Sequence, residues 1–519
     1  MKEIYLYKTP KKEDYTVSVG LAYPSTYFYG MSVLGFLSMF KELDSCEFVS
    51  AQRIFTDTKT LAFDPKHFDM LGFSCVFELD ILQILKILKK YGLELSAQKR
   101  KNKPLIFAGG PVITANPEPF AEFFDFFIIG DGEGVSCEIA KVYKLNRHKN
   151  KNEILKELAK TEGIYVPSLY DVNYEDGLIS GFKPQSLEVP AKVQKRKADL
   201  SECLFSPVIS DKTFYNETAF IEIARGCPYE CKFCTAHYHN MPCRFACLTS
   251  IKKAVKKTSR HAKKLVLIGA MISEHPDFEE ICDCILKLQP KRDFQVELSS
   301  LNVKKVSQGA LRLVSYNNNE ISLAIESGSE ALRRSFGKQL SNDDIFNTIG
   351  FYAQGGVKKI TLYSMIGLPD ETSGDIDEYI KLAVDLKNTF EGTAFTHIVS
   401  AFIPKPQTPY EREPRKNNAY LKTEMEKIKT LFKENDIGVK LPVLQNDAFN
   451  TLISQGDRRL GQFIKHIFTK NTPIKDIFKE YKNFMRLKNS KLKQPLIHFS
   501  KYIYRTKDND KILPWGFID

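Results

Sequence analysis

Six short apolar runs between residues 219 and 404 constrain the fold of this chain more than any other feature. Each run has the length and composition of a buried strand, and a helix-like stretch separates it from the next. The runs are AFIEIARG (219–226), KKLVLIGA (263–270), FQVELSS (294–300), EISLAIES (320–327), KKITLYSMIG (358–367) and AFTHIVSAFIP (394–404). Strands alternating with helices form parallel sheets, and six such units predict a partial (β/α)6 barrel with functional groups at the carboxyl ends of its strands.

Three cysteines, Cys227, Cys231 and Cys234, follow the first run with the spacing C-x3-C-x2-C. Three thiolates on a [4Fe–4S] cluster leave one iron open to a small molecule, whereas structural zinc needs a fourth ligand. The nearby residues that offer a fourth ligand are His237, His239, Cys243 and Cys247. The spacing leaves both interpretations open, and the position of the loop beyond a barrel strand favours the cluster.

The first 145 residues also alternate strand and helix patterns. The strand-like runs are YTVSVGLAYP (15–24), FDMLGFSC (68–75), PLIFAGG (104–110) and FDFFIIGDGEG (124–134). Helix-like stretches follow the first two, GMSVLGFLSMFKEL and LDILQILKILKKYGLEL. This pattern predicts a Rossmann-like parallel sheet, on which ligands bind beyond the carboxyl ends of the strands. The glycines at 109, 110, 130, 132 and 134 are expected at those ends, where they admit a ligand or make tight turns.

Composition and pattern together predict four regions. Residues 1–145 form the Rossmann-like domain, 146–215 a connecting segment rich in Pro, Gly and charge, 216–415 the barrel, and 416–519 a basic, mainly helical region. Residues 420–519 hold 20 Lys plus Arg and 11 Asp plus Glu, which gives +9 of the total +12. Such a region suits an acidic partner such as nucleic acid, but no basic run with interleaved aromatics supports this, and a solvated lysine-rich surface is the favoured interpretation.

The overall composition is that of a soluble globular protein, with 43% apolar and 27% charged residues. No apolar run is long enough to span a membrane, and the N-terminus lacks the apolar core of a signal peptide, so we expect a cytoplasmic protein without a membrane partner. The odd count of 11 cysteines argues against a disulfide framework, and most of them are expected to be small buried apolar residues.

The stretch RGCPYECKFC resembles the cysteine loop of radical S-adenosylmethionine (SAM) enzymes, with Phe233 as its aromatic residue. Later stretches are similar, in the same order, to further strand segments of that family. They are LIGAMISEHPD (267–277), ELSSLN (297–302), AIESGSEALRRSFGK (324–338) and YSMIGLPDET (363–372). The stretches GLAYPSTYFYGMSVLG, AGGPVITANPEPF and IIGDGEG resemble the cobalamin-binding-type domain of one branch of the family, and FIPKPQTPY, SQGDRRLG and LPWGFID recur in a subgroup of that branch.

The resemblance implies a radical SAM enzyme whose three cysteines hold a [4Fe–4S] cluster. SAM would chelate the open iron and be cleaved reductively to methionine and a 5′-deoxyadenosyl radical, which takes hydrogen from a carbon of an unidentified substrate. A donor such as flavodoxin or ferredoxin would supply the electron. The residues expected to contact SAM are Phe233, Gly269, Ser273, Ser299, Glu326, Ile366 and Gly367.

The resemblance also implies cobalamin in the first domain, with methyl transfer to the substrate radical. The expected contacts are Ser74, Gly109, Gly110 and Gly130. The loop AYPSTYFYG departs from the family pattern D-x-H-x-x-G because it has no histidine, and His67 precedes a different strand. Cobalamin would then bind without a protein ligand, or the domain would keep its shape without the cofactor.

Two alternative functions remain open from the sequence. One is a radical SAM methylthiotransferase that modifies tRNA, which the basic region would suit. That class has its own three-cysteine N-terminal domain, whereas the first stretch here lacks a cysteine. The other is a nucleic-acid-binding protein that uses zinc or a cluster only for stability, for which salt-dependent RNA binding without SAM turnover would be diagnostic.

Overall fold

The structure is a computed structural model that describes residues 2–10, 12, 15–59, 64–101, 103–299, 301–488 and 495–519. The strands within these ranges are β1 (Glu3–Tyr5), β2 (Val17–Ala22), β3 (Val49–Ile54), β4 (Met70–Ser74), β5 (Leu105–Gly109), β6 (Phe126–Ile128), β7 (Ile164–Tyr165), β8 (Tyr170–Glu175), β9 (Leu178–Pro184), β10 (Leu204–Phe205), β11 (Val208–Ser210), β12 (Thr218–Glu222), β13 (Ala224–Arg225), β14 (Arg244–Phe245), β15 (Lys264–Ile268), β16 (Gln295–Leu298), β17 (Glu320–Glu326), β18 (Lys359–Ile366), β19 (Ala394–Ala401) and β20 (Gly438–Lys440).

The α-helices of the same ranges are α1 (Tyr27–Gly30), α2 (Leu34–Ser45), α3 (Asp80–Lys90), α4 (Pro111–Ala115), α5 (Val135–Asn146), α6 (Lys151–Leu158), α7 (Thr235–Tyr238), α8 (Leu248–Thr258), α9 (Phe278–Leu288), α10 (Gln308–Tyr316), α11 (Glu330–Ser335), α12 (Asn342–Gln354), α13 (Ser373–Thr389), α14 (Asn418–Glu434), α15 (Leu444–Gln455), α16 (Leu460–Thr469), α17 (Ile477–Lys488) and α18 (Phe499–Ile503).

The chain divides into two compact units. The first comprises Met1–Ala198, Ser210–Tyr215 and Ala448–Asp519, and the second comprises Asp199–Ile209 and Asn216–Asp447. The units therefore do not follow the predicted boundaries at 145, 215 and 415. Part of the expected connecting segment joins the first unit because β7 pairs with β6. Most of the expected C-terminal region joins it as well, because its helices bury apolar side chains such as Phe463, Tyr481 and Ile503 in the core of that unit.

The first unit contains a six-stranded sheet with the strand order β3-β2-β4-β5-β6-β7. Its first five strands are parallel, and β7 is antiparallel to β6. The four predicted strands are present as β2, β4, β5 and β6, which confirms the Rossmann-like fold. The edge strand β3 was not predicted, because its sequence VSAQRI is too polar to read as a buried run.

Helix α3 illustrates how the layers of the first unit pack. Its buried residues Ile81, Ile84, Leu85 and Leu88 recur at intervals of three and four and so share one face. All four belong to the core formed with the phenylalanines of the sheet. The acidic Asp80 begins the helix, and basic residues occupy its last turn, which suits the helix dipole at both ends.

The second unit contains the predicted barrel strands. The six runs form β12, β15, β16, β17, β18 and β19. Parallel pairing arranges them in two groups with the strand orders β12-β15-β16 and β17-β18-β19. A parallel bridge between Leu301 and Leu323 connects the two groups. Helices follow the six strands in the order α8, α9, α10, α12, α13 and α14, and β20 adds a further parallel strand beside β19. The predicted partial barrel is confirmed.

Cys46, just after α2, forms a disulfide with Cys137 in α5. The odd number of cysteines did not predict this pair. No helix in the described part of the chain combines the length and the apolar character needed to cross a membrane.

Candidate functional site

The three-cysteine loop leaves the carboxyl end of β12 through a short hairpin. Strands β13 and β14 pair antiparallel and bring the two ends of the loop together. Gly226 lies at this junction with φ +85°, and a Cβ there would lie 2.8 Å from the carbonyl oxygen of Asn240. The glycine therefore lets the loop close tightly before its first cysteine. Arg225 forms a bidentate ion pair with Glu222, at 2.7 and 2.9 Å, which fixes the hairpin to the barrel strand.

Two later segments hold the middle of the loop. The backbone nitrogen of Lys232 donates to the carbonyl oxygen of Phe336 at 2.9 Å, and its carbonyl oxygen accepts from the nitrogen of Tyr410 at 3.1 Å. The ring of Phe233 packs edge-on against Phe336, with the centroids 5.3 Å apart. The loop is thus positioned by the segments that follow β17 and β19 as well as by its own strand.

The thiols of the loop are suited to binding a metal centre. Cys227 is buried and Cys231 and Cys234 are partly buried, and burial raises the pKa of Cys227 to about 11 and that of Cys231 to about 12. Backbone N–H groups point at two of the sulfurs, from Tyr229 to Cys227 and from residues 236 and 237 to Cys234. Such donors stabilise thiolates that a metal has deprotonated, so the residues fit an iron–sulfur cluster.

No three His, Cys, Asp or Glu side chains among the described residues converge closely enough to hold a single metal ion. The thiolates of a cluster bind separate irons and need not meet at one point. Two nearby histidines already make hydrogen bonds to backbone carbonyls. His237 Nδ1 lies 2.8 Å from the oxygen of Cys227, and His239 Nε2 lies 2.8 Å from that of Pro406.

Lys338 lies beside the cysteines and was not singled out by the sequence. Its ammonium group lowers the pKa of all three thiols, although burial outweighs this effect. It donates to the carbonyl oxygen of Ala324 at 2.6 Å and to Glu326 Oε1 at 3.2 Å. Gly337, with φ +88°, lets this segment approach the loop, because a Cβ there would lie 3.0 Å from the carbonyl oxygen of Glu230.

Three of the expected SAM contacts come from the segments after β15 and β16. Ser299 Oγ donates to the carbonyl oxygen of Gly269 at 3.1 Å, so these two residues are neighbours. A Cβ at Gly269 would lie 2.7 Å from the carbonyl oxygen of Ala224, just before the cysteine loop. Ser273 is buried, and its hydroxyl accepts from the backbone nitrogen of Asn302 at 3.0 Å. The side chain of Ser273 is therefore committed to joining two strand-end segments.

The remaining expected contacts lie at the carboxyl ends of β17 and β18. Glu326 has φ +68°, an unusual conformation for a residue other than glycine, and this turns its carboxylate toward Lys338. Ile366 is fully buried, and its carbonyl oxygen accepts from Phe402, so its contact with a ligand would be limited to a small part of the backbone. Gly367, with φ +78°, donates its N–H to Glu371 Oε1 at 2.6 Å.

A polar cluster at the same end of the barrel joins three loops. Asn302 Nδ2 donates to the hydroxyl of Tyr229 at 2.7 Å and to Glu274 Oε1 at 2.6 Å, and the Tyr229 hydroxyl lies 3.2 Å from the same carboxylate. Tyr229 belongs to the cysteine loop, whereas Glu274 and Asn302 follow β15 and β16. Only the folded barrel brings these residues together, and no local sequence signal identifies them as a group.

In the first unit, the expected cobalamin residues lie at one edge of the sheet. Ser74 ends β4, Gly109 ends β5, Gly110 follows it, and Gly130 follows β6. His67 is exposed and precedes β4, away from this edge. The structure therefore brings the four residues to the carboxyl edge that the parallel sheet predicts.

The glycines at this edge are packed against the chain itself. A Cβ at Gly110 would collide with the carbonyl oxygen of Cys75, and a Cβ at Gly109 would lie 3.4 Å from the side chain of Ile128. A Cβ at Gly130 would lie 2.5 Å from the backbone nitrogen of Arg196, whose segment pairs with the end of β6. Gly110 and Gly130 therefore permit close approach of backbone, whereas a Cβ at Gly109 would make an ordinary contact.

Two carboxylates of the chain accept from four backbone N–H groups at the same edge. Asp80 accepts from Val76 and Phe77 at 2.9 and 2.8 Å, before α3. Glu42 accepts from Gly134 and Cys137, both at 3.0 Å, at the start of α5. A phosphate on such a sheet would bind at a helix N-terminus, and at the N-terminus of α5 Glu42 takes that place. Together with the packed glycines and the loop without histidine, this shows that the residues do not fit cobalamin.

Comparison with protein families gives two matches. Residues 36–167 match the model described as radical SAM proteins, N-terminal, and residues 221–383 match the model described as the radical SAM superfamily. The second match begins at the strand before the cysteine loop and ends within α13.

Similar proteins include an uncharacterised protein of Methanocaldococcus jannaschii, 26% identical over 86% of this chain and 91% of that protein. A tRNA-2-methylthio-N(6)-dimethylallyladenosine synthase of Chlorobium phaeobacteroides is 21% identical over 33% of this chain and 41% of that enzyme. Among solved structures, the cobalamin-dependent SAM radical enzyme OxsB, with aqua-cobalamin and SAM bound, aligns with a TM-score of 0.52 at 12% identity. That alignment covers 91% of this chain and 75% of OxsB, and it shows a shared fold.

Proposed function

Because this chain is a radical SAM enzyme, with the superfamily domain at residues 221–383, we propose that Cys227, Cys231 and Cys234 hold a [4Fe–4S] cluster at which SAM is bound and cleaved. The observation that supports this most directly is the arrangement of the thiols. They are wholly or partly buried, backbone N–H groups point at two of them, and their loop leaves the first strand of a parallel barrel. Barrels of this kind carry their chemistry at that end.

Held by Cys227, Cys231 and Cys234, the cluster would supply one low-potential electron for reductive cleavage of SAM to methionine and a 5′-deoxyadenosyl radical, which would take hydrogen from a substrate carbon. The protein positions and shields this chemistry. The ring of Phe233 against Phe336, and the apolar cluster around Phe336 and Leu368, keep water from one side of the loop. A donor such as flavodoxin or ferredoxin is the proposed source of the electron.

We assign the SAM pocket to the strand ends beside the loop. Gly269 and Ser299 are in mutual contact, and Gly269 lies against Ala224, directly before the cysteines. The positive charge of Lys338 stabilises the negative charge of the thiolates and of any carboxylate bound there. Glu326 balances part of that charge at 3.2 Å. Gly367 presents backbone in a conformation that side chains rarely adopt.

The proposed reaction does not involve cobalamin, because the carboxyl edge of the first unit is occupied by its own backbone and carboxylates. The residues that we assign to radical formation all belong to the barrel. We therefore place the chemistry at the barrel and derive no methyl transfer.

Anaerobic reconstitution with iron and sulfide tests the proposal. The wild type should hold about four irons and four sulfides per chain and form 5′-deoxyadenosine from SAM when reduced with dithionite. Cys231→Ser should lose the cluster and the activity. Cys284→Ser, a partly buried cysteine on α9 outside the loop, is the matched control and should keep both. Bound zinc without sulfide in the wild type, or unimpaired SAM cleavage by Cys231→Ser, would refute the proposal.

A further inference from the structure

Four aromatic side chains of the first unit form one exposed cluster. Phe28, Tyr29, Phe214 and Tyr215 are 43%, 50%, 52% and 40% exposed. Their ring centroids lie 5.1 Å apart for Phe28–Tyr29, 5.4 Å for Tyr29–Phe214 and 4.8 Å for Phe214–Tyr215. Single exposed aromatics are common, but a contiguous group of them usually marks a binding surface.

The two segments that carry the rings are fixed to each other. The backbone nitrogen of Phe214 donates to the carbonyl oxygen of Phe28 at 2.9 Å. The hydroxyl of Tyr27 donates to Glu3 at 2.7 Å and contacts the hydroxyl of Ser210 at 2.9 Å. The rings therefore start from an ordered backbone, and little conformational entropy would be lost when a ligand stacks on them.

A cavity of about 760 Å³ adjoins this cluster through Phe28. The aromatic residues that line it are Tyr5, Tyr27, Phe28, Phe40 and Phe55. Arg53 lies over the ring of Phe40 at 4.8 Å and is paired with Glu3 at 2.7 Å. The lining of the cavity thus combines aromatic rings with the ion pair of Arg53 and Glu3.

Two lysines on the lining of this cavity make no salt bridge within the part of the chain that the structure describes. They are Lys59 and Lys212, and both are exposed. Asp57 also lines the cavity, and one of its oxygens accepts from the backbone nitrogen of Tyr27 at 2.9 Å. This surface therefore combines stacking rings with unpaired cations. It also has a carboxylate that can accept a hydrogen bond from a sugar hydroxyl.

We propose that this surface binds single-stranded RNA. Single-stranded RNA has flat bases that can stack on aromatic rings and negatively charged phosphates that can contact unpaired lysines. Other single-strand binding sites combine the same two features. The bases would stack on Phe28, Tyr29 and Phe214, the phosphates would contact Lys59 and Lys212, and Asp57 would accept from a ribose 2′-hydroxyl, which DNA lacks. The sequence did not reveal this site, because its aromatics and lysines come from separate segments.

Fluorescence anisotropy with a labelled, unstructured oligoribonucleotide of about ten nucleotides tests the proposal on the full chain. We expect saturable binding to the wild type and weaker binding of the DNA oligonucleotide of the same sequence. The double variant Phe28→Ala, Phe214→Ala should bind at least about tenfold more weakly. Phe77→Ala removes an aromatic that is 65% exposed and outside the cluster, so it should bind like the wild type.

Further variants separate stacking and phosphate contacts from an apolar contact. Phe214→Tyr should retain binding, whereas Phe214→Leu, which keeps apolar surface without a ring, should lose most of it. Lys212→Met should reduce the slope of log affinity against log salt by about 0.7. The proposal is overturned if RNA does not bind, if DNA binds equally well, or if Phe214→Leu binds like the wild type. Each readout is binding alone, so its failure is independent of the SAM-cleavage test.

Discussion

The ammonium group of Lys338 lies close enough to the three thiols to influence the reduction potential of the proposed cluster. We predict that Lys338→Met shifts the midpoint potential of the reconstituted cluster to more negative values, because a cation beside the thiolates is removed and Glu326 is left unpaired. Redox titration followed by electron paramagnetic resonance measures this shift. Lys338→Arg keeps the charge and should stay near the wild-type potential, with equal iron content in all three proteins. An unchanged potential in Lys338→Met would contradict the assignment.

Glu371 makes the second unit sensitive to pH. Burial raises the pKa of this carboxyl to about 7, although N–H and hydroxyl donors from Gly367 and Tyr420 oppose the shift. Because the pKa in the folded state exceeds the ordinary value of 4.5, the folded state holds the proton more tightly. The protonated carboxyl of Glu371 therefore contributes to the unfolding free energy at low pH, and this contribution is lost as the pH rises toward about 7.

We predict that Glu371→Gln removes this dependence. Relative to the variant, the wild type should lose up to about 3 kcal/mol of unfolding free energy between pH 4.5 and 7. Urea unfolding at pH 5 and pH 8, followed by circular dichroism, measures both proteins. Parallel pH profiles for the two would show that Glu371 is ionised throughout.

The sequence predicted some site residues and not others for physical reasons. The cysteine trio is local in sequence, and its spacing carries the chemistry directly. Lys338 depends on the positive φ of Gly337, which brings its segment against the loop. Asn302 and Tyr229 meet only when two loops of the barrel converge. Which SAM contacts are used stays a prediction, and the side chains of Ser273 and Ile366 are already engaged or buried.

Among the elements, the end of β6 is held by the segment around Arg196. Both Gly130 and Gly134 have positive φ, +96° and +79°. At Gly130 a Cβ would meet the backbone of Arg196, whereas at Gly134 the nearest atom is the end of the Arg196 side chain at 3.9 Å.

Gly130→Ala should therefore cost about 1–3 kcal/mol more unfolding free energy than Gly134→Ala, because backbone cannot move aside as a side chain can. Alanine at either position also carries the strain of a left-handed conformation. Urea unfolding of the two variants measures the difference. Equal losses would mean that the Arg196 segment moves away at little cost.

The strands that the sequence predicts correctly have largely apolar sequences. Strands β15 and β18 bury residues on both faces, whereas β17 alternates between buried and half-buried positions. Edge strand β3 has four half-buried residues between two buried ends, so its sequence does not show the apolar run of a buried strand. Strands β8 and β9 contain several exposed positions, and their composition predicts the connecting segment 146–215 instead of a hairpin.

The first unit is a Rossmann-like sheet domain whose carboxyl-edge residues do not fit cobalamin. We predict that protein purified anaerobically from cells supplied with cobalamin shows cluster absorbance without a corrin spectrum. Equilibrium dialysis against hydroxocobalamin should give no stoichiometric binding, with heat-denatured protein as the control for non-specific uptake. Formation of 5′-deoxyadenosine should be the same with and without the supplement. One corrin per chain would contradict this prediction.

The first unit is assembled from both ends of the chain, with Asn216–Asp447 inserted between them. The backbone of Val193 pairs with that of Asp519, and Phe517 packs against Tyr165 at 4.3 Å. During synthesis the whole barrel therefore emerges from the ribosome before residues 448–519, which complete the sheet domain whose first strands were made earlier. Until residues 448–519 have been synthesised, the early strands leave apolar surface exposed, while the barrel can already fold.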